Sequence, residues 1–205
     1  MIALCGTHHP MADAGAFTVE QLRELKEYGR RHAGEVKGQF QWMRKNVLTV
    51  AGSIFGYETP ILVEVAGQPV IWLNRDEEGY LLLNVNMLSI STEPRARIED
   101  NMWITPPNPD DLESPPSGRL LQVKYSNGDM VKVEFFDLLS PEGAVLRYPD
   151  AGADTWPVSY PILAAEVHMK VGGTNLEFGP RDTKIGTNVF RNLFMSHCGV
   201  GLSIG

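Results

Sequence analysis

The chain has few cysteines and no long apolar run. Cys5 and Cys198 are the only cysteines in 205 residues, too few for the disulfide framework of a small secreted domain. Its most apolar stretch, residues 47–54, is interrupted by Gly52 and Ser53, and a membrane span needs roughly 20 apolar residues. The first ten residues lack the basic and apolar regions of a secretory signal. These absences predict a soluble, cytoplasmic protein with reduced thiols, with a single Cys5–Cys198 bridge as the alternative.

The sequence also lacks the short motifs of several enzyme classes. Neither G-x-x-x-x-G-K-[ST] nor G-x-G-x-x-G occurs, and the closing GVGLSIG departs from both, which disfavours a P-loop or dinucleotide site. G-x-S-x-G is absent, which weakens an esterase interpretation. No loop has the D-x-D-x-D-G spacing of a calcium site. We therefore expect no cofactor.

Charge is unevenly distributed along the chain, whose net charge is −7. Residues 1–50 contain seven Lys/Arg and five Asp/Glu, whereas residues 51–205 contain eleven and twenty. Binding to a phosphate backbone requires Lys and Arg to displace counterions. The acidic majority of the chain is therefore not expected to bind nucleic acid.

The composition favours a β-rich fold with a sizeable core. Hydrophobic residues make up 43% of the chain, which also has 20 glycines and 14 prolines, an excess typical of a protein with many turns. We predict a mainly β protein: an antiparallel sheet or sandwich with one N-terminal α-helix and a β-helix-like C-terminal segment. Residues 1–50 would be an N-terminal extension and helix, and residues 51–205 a β-rich domain.

The clearest local signal is a β-hairpin around Asn127-Gly128. A two-residue loop would place Lys132 opposite Val123, among the apolar side chains. A three-residue loop, Ser126 to Gly128, instead pairs Val123 with Val131 and Leu121 with Val133. We predict this longer loop, with Gly128 in the left-handed conformation as a bulge.

The N-terminal helix and two further segments are predicted with less regular patterns. Thr18 and Gln21 have the spacing of a capping box, followed by an apolar stripe, so a helix should run to about His32 or Gly34. Residues 105–117 contain five prolines between acids and predict an extended surface arm. The short apolar segments after residue 165, separated by Gly and Asn, resemble coils of a parallel β-helix, with a meander of hairpins as the alternative.

Three sets of residues are candidates for chemistry. Cys5, His8 and His9 offer a thiolate and two imidazoles, ligands that suit zinc, but no second ligand pair follows nearby.

Cys198 with His168 would be a nucleophile and its base. His197 is less suitable, because adjacent residues of a strand face opposite ways. A buried, inert cysteine is the commoner role.

Asp100 lies in phase with the apolar residues of a predicted strand over residues 95–104. Either this strand bulges at Asp100 or the acid is buried and needs partners. A buried carboxyl with a raised pKa would be a site candidate.

No constellation in the sequence identifies an activity. The expectation is a non-enzymatic structural or interaction protein, a subunit of a homo-oligomer or larger assembly, whose partners are proteins or copies of itself. The alternatives are a hydrolase that acts on carbohydrate through paired carboxylates including Asp100, and a small-ligand binding module.

Overall fold

The computed structural model describes residues 13–32, 34–107 and 109–205. It is mainly β, with 45% strand and 11% helix in two sheets of mixed antiparallel and parallel strands. This confirms the predicted fold class at that level. No helix among the described residues is long and apolar enough to cross a membrane.

The helices and strands alternate with short turns along most of the chain. The helices are α1 (Val19–His32), α2 (Pro141–Arg147) and a 3-10 turn (Ala153–Thr155). The strands are β1 (Val36–Gln39), β2 (Val47–Ala51), β3 (Ile54–Tyr57), β4 (Ile61–Val65), β5 (Gln68–Arg75), β6 (Leu81–Asn86), β7 (Arg97–Glu99), β8 (Met102–Thr105), β9 (Asp111–Glu113), β10 (Leu120–Lys124), β11 (Met130–Leu138), β12 (Ile162–Val171), β13 (Leu176–Phe178), β14 (Thr183–Ile185), β15 (Asn188–Phe190), β16 (Leu193–Ser196) and β17 (Val200–Ile204).

Two sheets contribute to one main cluster of buried side chains. The first has the order β1-β8-β7-β6-β5-β4-β17, and the second has the order β15-β14-β13-β12-β11-β10-β9. A branch of the second sheet starts at β12, which pairs with β2; β2 pairs with β3, and β3 pairs with β16. Leu83 and Ile71 of the first sheet share the cluster with Val133 and Val167 of the second. β1 and most of β2 precede residue 51, so sheet pairing crosses the predicted boundary at residue 50, and the division itself stays a prediction.

The predicted hairpin is confirmed in register and in loop type. β10 and β11 pair Leu121 with Val133 and Val123 with Val131. The Tyr125 N–H donates to the Asp129 carbonyl over 2.9 Å, and Gly128 has φ +88°. The four paired residues Leu121, Val123, Val131 and Val133 are all buried, which is the physical reason that this register is preferred.

A second, smaller layer covers the opposite face of β2, β3 and β12. Ser140 caps the N-terminus of α2: its Oγ accepts from the Gly143 N–H at 3.2 Å, and Pro141 occupies the first turn, where no N–H is needed. The side chains under this layer include Val50, Phe55 and Trp156. β12 is therefore covered on both faces over its first half, as its apolar run predicts.

The N-terminal helix is confirmed as the 14-residue α1. The Thr18 N–H donates to Gln21 Oε1 over 2.8 Å and the Gln21 N–H donates to Thr18 Oγ1 over 3.2 Å, a reciprocal capping box. Two residues of its apolar stripe, Val19 and Leu25, are 58% and 45% exposed, and Leu22 between them is half-buried.

The proline-rich segment is only partly an arm. Its residues Asp111–Glu113 form β9, which pairs antiparallel with β10 and is the last strand of the second sheet. Residue 108 lies outside the described residues.

Candidate functional site

Asp100 lies in an exposed tight turn, which is neither the bulge nor the buried acid that were predicted for a continuous strand. Asp100 and Asn101 have φ +49° and +67° and connect β7 to β8, pairing Glu99 with Met102. This is a two-residue hairpin loop, so residues 95–104 are not one strand. The exposed Asp100 carboxylate accepts from Asn74 Nδ2 at 2.8 Å and Asn84 Nδ2 at 3.1 Å. Its role in this geometry is to hold the turn.

The other predicted site residues are not assembled into a catalytic pair. Cys198 is half-buried between β16 and β17, and its thiol donates to the Ser196 carbonyl at 3.3 Å. His168 lies on β12 and contacts Glu166 and Phe178. Within residues 13–32, 34–107 and 109–205, no hydrogen bond or ion pair joins His168 to Cys198.

Metal ligation is not supported by the described part of the chain, which has no group of three His, Cys, Asp or Glu suited to a metal. Cys5, His8 and His9 lie outside the described residues, so their predicted role stays untested.

His168 belongs to a buried polar network centred on Glu166, a residue that the sequence analysis missed. Glu166 Oε1 is 2.6 Å from His168 Nε2, and Glu166 Oε2 accepts from Arg147 at 2.9 Å and from the Tyr148 hydroxyl at 3.1 Å. His168 Nδ1 is 3.2 Å from the Phe178 carbonyl oxygen. Both ring nitrogens thus face oxygen atoms, and these two contacts fix the orientation of the imidazole ring. A detectable signal was Glu two residues before His in an otherwise apolar strand, a spacing that puts both on one face.

The network fixes Glu166 in its ionised form. Burial raises the pKa of Glu166, but hydrogen bonds and charge from His168 and Arg147 outweigh it and lower the pKa to about 2. Burial, together with the Glu166 charge, raises the pKa of Tyr148. A carboxylate with three donors and such a low pKa is unsuited to be a general acid near neutral pH.

A second buried network holds the hairpin loop against the first sheet. The Asp129 carboxylate, whose side chain is fully buried, accepts from Arg95 Nε at 2.6 Å and Ser89 Oγ at 2.7 Å. It also accepts from Asn127 Nδ2 at 2.9 Å and the Gly172 N–H at 2.8 Å. Burial raises the pKa of Asp129, but these donors, Arg95 first, hold it below its ordinary value. Each polar group has a partner, as a structural clamp requires.

The C-terminal residues stack on an earlier stretch of the chain in one uninterrupted register. β16 pairs in parallel with β3, and β17 pairs in parallel with β4. Leu193 lies beside Ile54, and Ile204 lies beside Val65, always 139 residues apart. We call residues 193–204 the upper coil and residues 54–65 the lower coil. Both cross from the second sheet to the first through a short corner.

The two corners turn at stacked residues that both have positive φ. Glu58 in the lower coil has φ +49°, and His197, directly above it, has φ +57°. The His197 N–H donates to the Tyr57 carbonyl over 3.2 Å, and His197 Nε2 is 2.9 Å from Glu58 Oε2. A left-handed residue turns the chain between sheets without a bulge, so the stack continues around the corner instead of breaking there.

The upper coil has an outer edge on which no strand of the described residues pairs. The C=O and N–H of a trans peptide point in opposite directions. Because the Gly199 carbonyl accepts from Ile61 below it, the Val200 N–H points to the open edge, and strand alternation gives Leu202 the same direction. On β16, the His197 and Leu193 N–H groups donate to the lower coil, so the Phe194 N–H points outward. The open edge therefore presents unpaired N–H donors on both β16 and β17.

Apolar side chains of the upper coil are only half covered. Phe55 and Val63 in the lower coil are 2% and 0% exposed, whereas Phe194 and Leu202 stacked above them are half-buried. Phe194 stacks on Trp156 at 5.1 Å between ring centroids. One further layer would bury the upper coil as the upper coil buries the lower one.

No family model, curated protein or solved structure matches this chain.

The candidate sites differ in whether their polar groups are already paired within the chain. The Glu166 and Asp129 networks are internally satisfied, and their donors and acceptors are engaged within the chain. The open edge of the upper coil has unsatisfied backbone groups beside half-covered apolar side chains, the two features from which strand addition gains its binding energy.

Proposed function

We propose that this protein is a non-enzymatic interaction protein that binds an extended segment of a partner protein along the open edge of the upper coil. The partner would add a third layer to the two coils, a β-helix-like arrangement. The supporting observation is the constant register of residues 193–204 on residues 54–65, with a residue of positive φ at each corner and an unpaired outer edge. A template that already holds one layer in this way fits a second layer of the same kind.

The alternation of side chains favours a partner segment that runs parallel to the upper coil. On β16 the outward N–H belongs to Phe194, whose side chain lies in the smaller layer, whereas on β17 it belongs to Leu202, whose side chain lies in the main cluster. In a parallel segment with the same corner, the side chains of the hydrogen-bonding residues also switch from the smaller layer to the main cluster at the corner. Hydrogen bonds and side-chain faces then match on both arms.

The same alternation disfavours a two-fold dimer through this edge. A two-fold axis through the corner, which would pair the whole edge, places β17 of a second copy antiparallel to β16. Directly opposed residues of an antiparallel pair have their side chains on one face, but here the residues with outward N–H groups have side chains on opposite faces. The partner is therefore a different segment: two short strands with alternating apolar residues, joined by a corner that contains Gly, Asn, Asp or His at positive φ.

The test uses the upper coil itself as a partner mimic. A synthetic peptide of residues 192–205 with Cys198→Ser is titrated into the full chain, and the reversed sequence is the matched control with the same composition. We expect the forward peptide to bind with a Kd of about 1 mM or tighter. It should slow amide exchange at Phe194, Val200 and Leu202, whose N–H groups point outward.

Two variants isolate the backbone donor at Val200, which is 39% exposed at the start of β17. Val200→Pro removes the outward N–H, and proline is tolerated at the first residue of an edge strand. It should weaken peptide binding about tenfold, the effect of losing one hydrogen bond and its neighbours. Val200→Thr keeps the N–H and should bind the peptide about as well as the unmodified chain.

A tethered version removes the entropic cost of binding in trans. A second copy of residues 192–204 is joined to Gly205 by a flexible Gly/Ser linker of about 15 residues, which raises its effective concentration to the millimolar range. The forward copy should raise the urea midpoint relative to the reversed copy. If neither the free nor the tethered forward segment differs from its reversed control, the proposal is wrong.

A hydrolase is supported less well by the geometry, since Asp100 is a turn residue and Glu166 is held ionised. The predicted cytoplasmic location and the absence of nucleic-acid binding stay predictions.

A further inference from the structure

A pocket of about 390 Å³ lies on the other side of the lower coil from the open edge. Its floor is apolar and buried, and its rim is charged. The floor includes Val47, Leu73 and Leu81, and the rim includes Lys45, Glu58 and Arg75.

The pocket follows from the way the lower coil turns between the two sheets. β3 pairs with β2 and β4 pairs with β5 on this side, and these two flanking strands belong to different sheets. On the upper side, residues 197–199 cover the corner. On the lower side, β2 begins at Val47 and the Leu73 N–H of β5 donates to the Pro60 carbonyl over 2.7 Å. These two strands lie on either side of the corner, and the pocket lies between them.

Two cations on the rim have no acidic partner among residues 13–32, 34–107 and 109–205. Arg75 Nη1 donates to the Lys45 carbonyl at 3.3 Å and to the Gly79 carbonyl at 2.8 Å, which fixes the guanidinium beside the Lys45 main chain. Lys45 Nζ lies 5.3 Å from the Tyr80 ring centroid. The rim acid Glu58 is engaged by His197 at 2.9 Å. The rim therefore has a local excess of positive charge in a chain of net charge −7.

We propose that the pocket binds a small molecule with a carboxylate or phosphate group on an apolar body. Lys45 and the remaining donors of Arg75 would hold the oxyanion, because a fixed guanidinium and an ammonium that line the same pocket can give several charge-assisted hydrogen bonds. The apolar body lies on Val47, Leu73 and Leu81. A volume of about 390 Å³ is within the range of small-molecule sites, which combine an apolar lining with a few placed polar groups.

The experiment compares ligands that differ only in the charged group. Hexanoate, hexyl phosphate and 1-hexanol are titrated separately into the ¹⁵N-labelled full chain, and chemical shifts of the pocket residues are followed. We expect hexanoate or hexyl phosphate to bind at least about fivefold more tightly than hexanol, as charge-assisted contacts at a half-open rim allow. The tighter of the two anions identifies the oxyanion. Raising salt from about 0.05 M to 0.5 M should weaken the anion and leave hexanol unchanged.

Lys45→Gln tests the cation, with Lys37→Gln as its matched control. Lys37 is an exposed β1 lysine that pairs with Glu35 at 3.1 Å and does not line the pocket. Lys45→Gln should weaken anion binding about fivefold, and Lys37→Gln should not. Equal affinity for hexanol and both anions, an unchanged Lys45→Gln affinity, or no shifts at about 20 mM ligand, far above the affinity of a built site, would each overturn the proposal. The outcome is independent of Val200→Pro, which acts on the opposite side of the lower coil.

Discussion

Replacing Asp129 with alanine should be among the most destabilising single changes in this chain. The carboxylate accepts four hydrogen bonds, from Arg95, Ser89, Asn127 and Gly172. Its side chain is 0% exposed and that of Arg95 is 7% exposed, so Asp129→Ala leaves a buried guanidinium with Glu93, a 63% exposed acid at 3.5 Å, as its remaining ion pair. The Gly172 N–H also loses its acceptor.

The structure gives the expected magnitude. Removing one partner of a buried ion pair costs about 3–5 kcal/mol, and an unsatisfied buried donor costs about 1–3 kcal/mol. These costs overlap, so we expect Asp129→Ala to lower the free energy of unfolding by about 4 kcal/mol. For a chain of this length that is a decrease in Tm of about 8–16 °C. Asp129→Asn keeps the shape and one acceptor and should cost about half as much.

Urea unfolding followed by tryptophan fluorescence measures these values, and a double-mutant cycle assigns them. Arg95→Met removes the charge and keeps much of the aliphatic packing against Tyr125, whose ring centroid lies 4.4 Å from the guanidinium carbon. In Asp129→Ala/Arg95→Met neither charge of this buried pair remains, so the double variant should lose at least about 1.5 kcal/mol less than the sum of the single losses. A loss below about 1 kcal/mol for Asp129→Ala, or additive single losses, would refute the clamp.

Two further predictions concern β12 and the turn that follows it. The pKa of Glu166 is lowered from 4.5 to about 2, so its ionisation contributes stability above about pH 4.5 that is lost as pH falls toward 2. This contribution, about 3 kcal/mol, should be missing from the acid unfolding curve of Glu166→Gln. An unchanged curve would argue against the network. A Cβ added at Gly172 would overlap the Asn127 carbonyl oxygen. Gly172→Ala should therefore lower the urea-derived free energy of unfolding by about 2–3 kcal/mol. In contrast, Gly143→Ala meets only Ser140 Oγ at 3.8 Å in α2 and should be neutral or stabilising by about 0.5 kcal/mol; equal losses for both glycines would contradict the steric argument.

Local patterns in the sequence were sufficient for the hairpin and for α1. Alternation of apolar residues across Ser126–Gly128 leaves one register in which Val123 meets Val131, and the structure has it. The capping box of Thr18 needs only residues three apart. Both features depend on neighbours in the sequence, so they can be deduced without knowing the fold.

The remaining features depend on residues that are far apart in the sequence. Asp100 was misassigned because its phase suggested a continuous strand, although two residues that tolerate positive φ, Asp100 and Asn101, are a turn signal. Glu166 reaches Arg147 only after a helix folds back onto β12. The parallel neighbours of β16 and β17 are β3 and β4 rather than other C-terminal segments, and periodicity within the last 40 residues does not identify them.

The stacked coils are separated by 139 residues in the sequence, so the lower coil is synthesised well before the upper coil. At about 5–20 residues per second, the lower coil is made about 7–28 seconds before the segment that covers it. During that interval the upper edge of residues 54–65, with Phe55 and Val63 beside it, stays open to any strand nearby. A nascent chain in this state has a template for pairing with a second nascent chain. Slowing translation after residue 65 should therefore increase aggregation of the product, whereas supplying residues 192–205 in trans should reduce it.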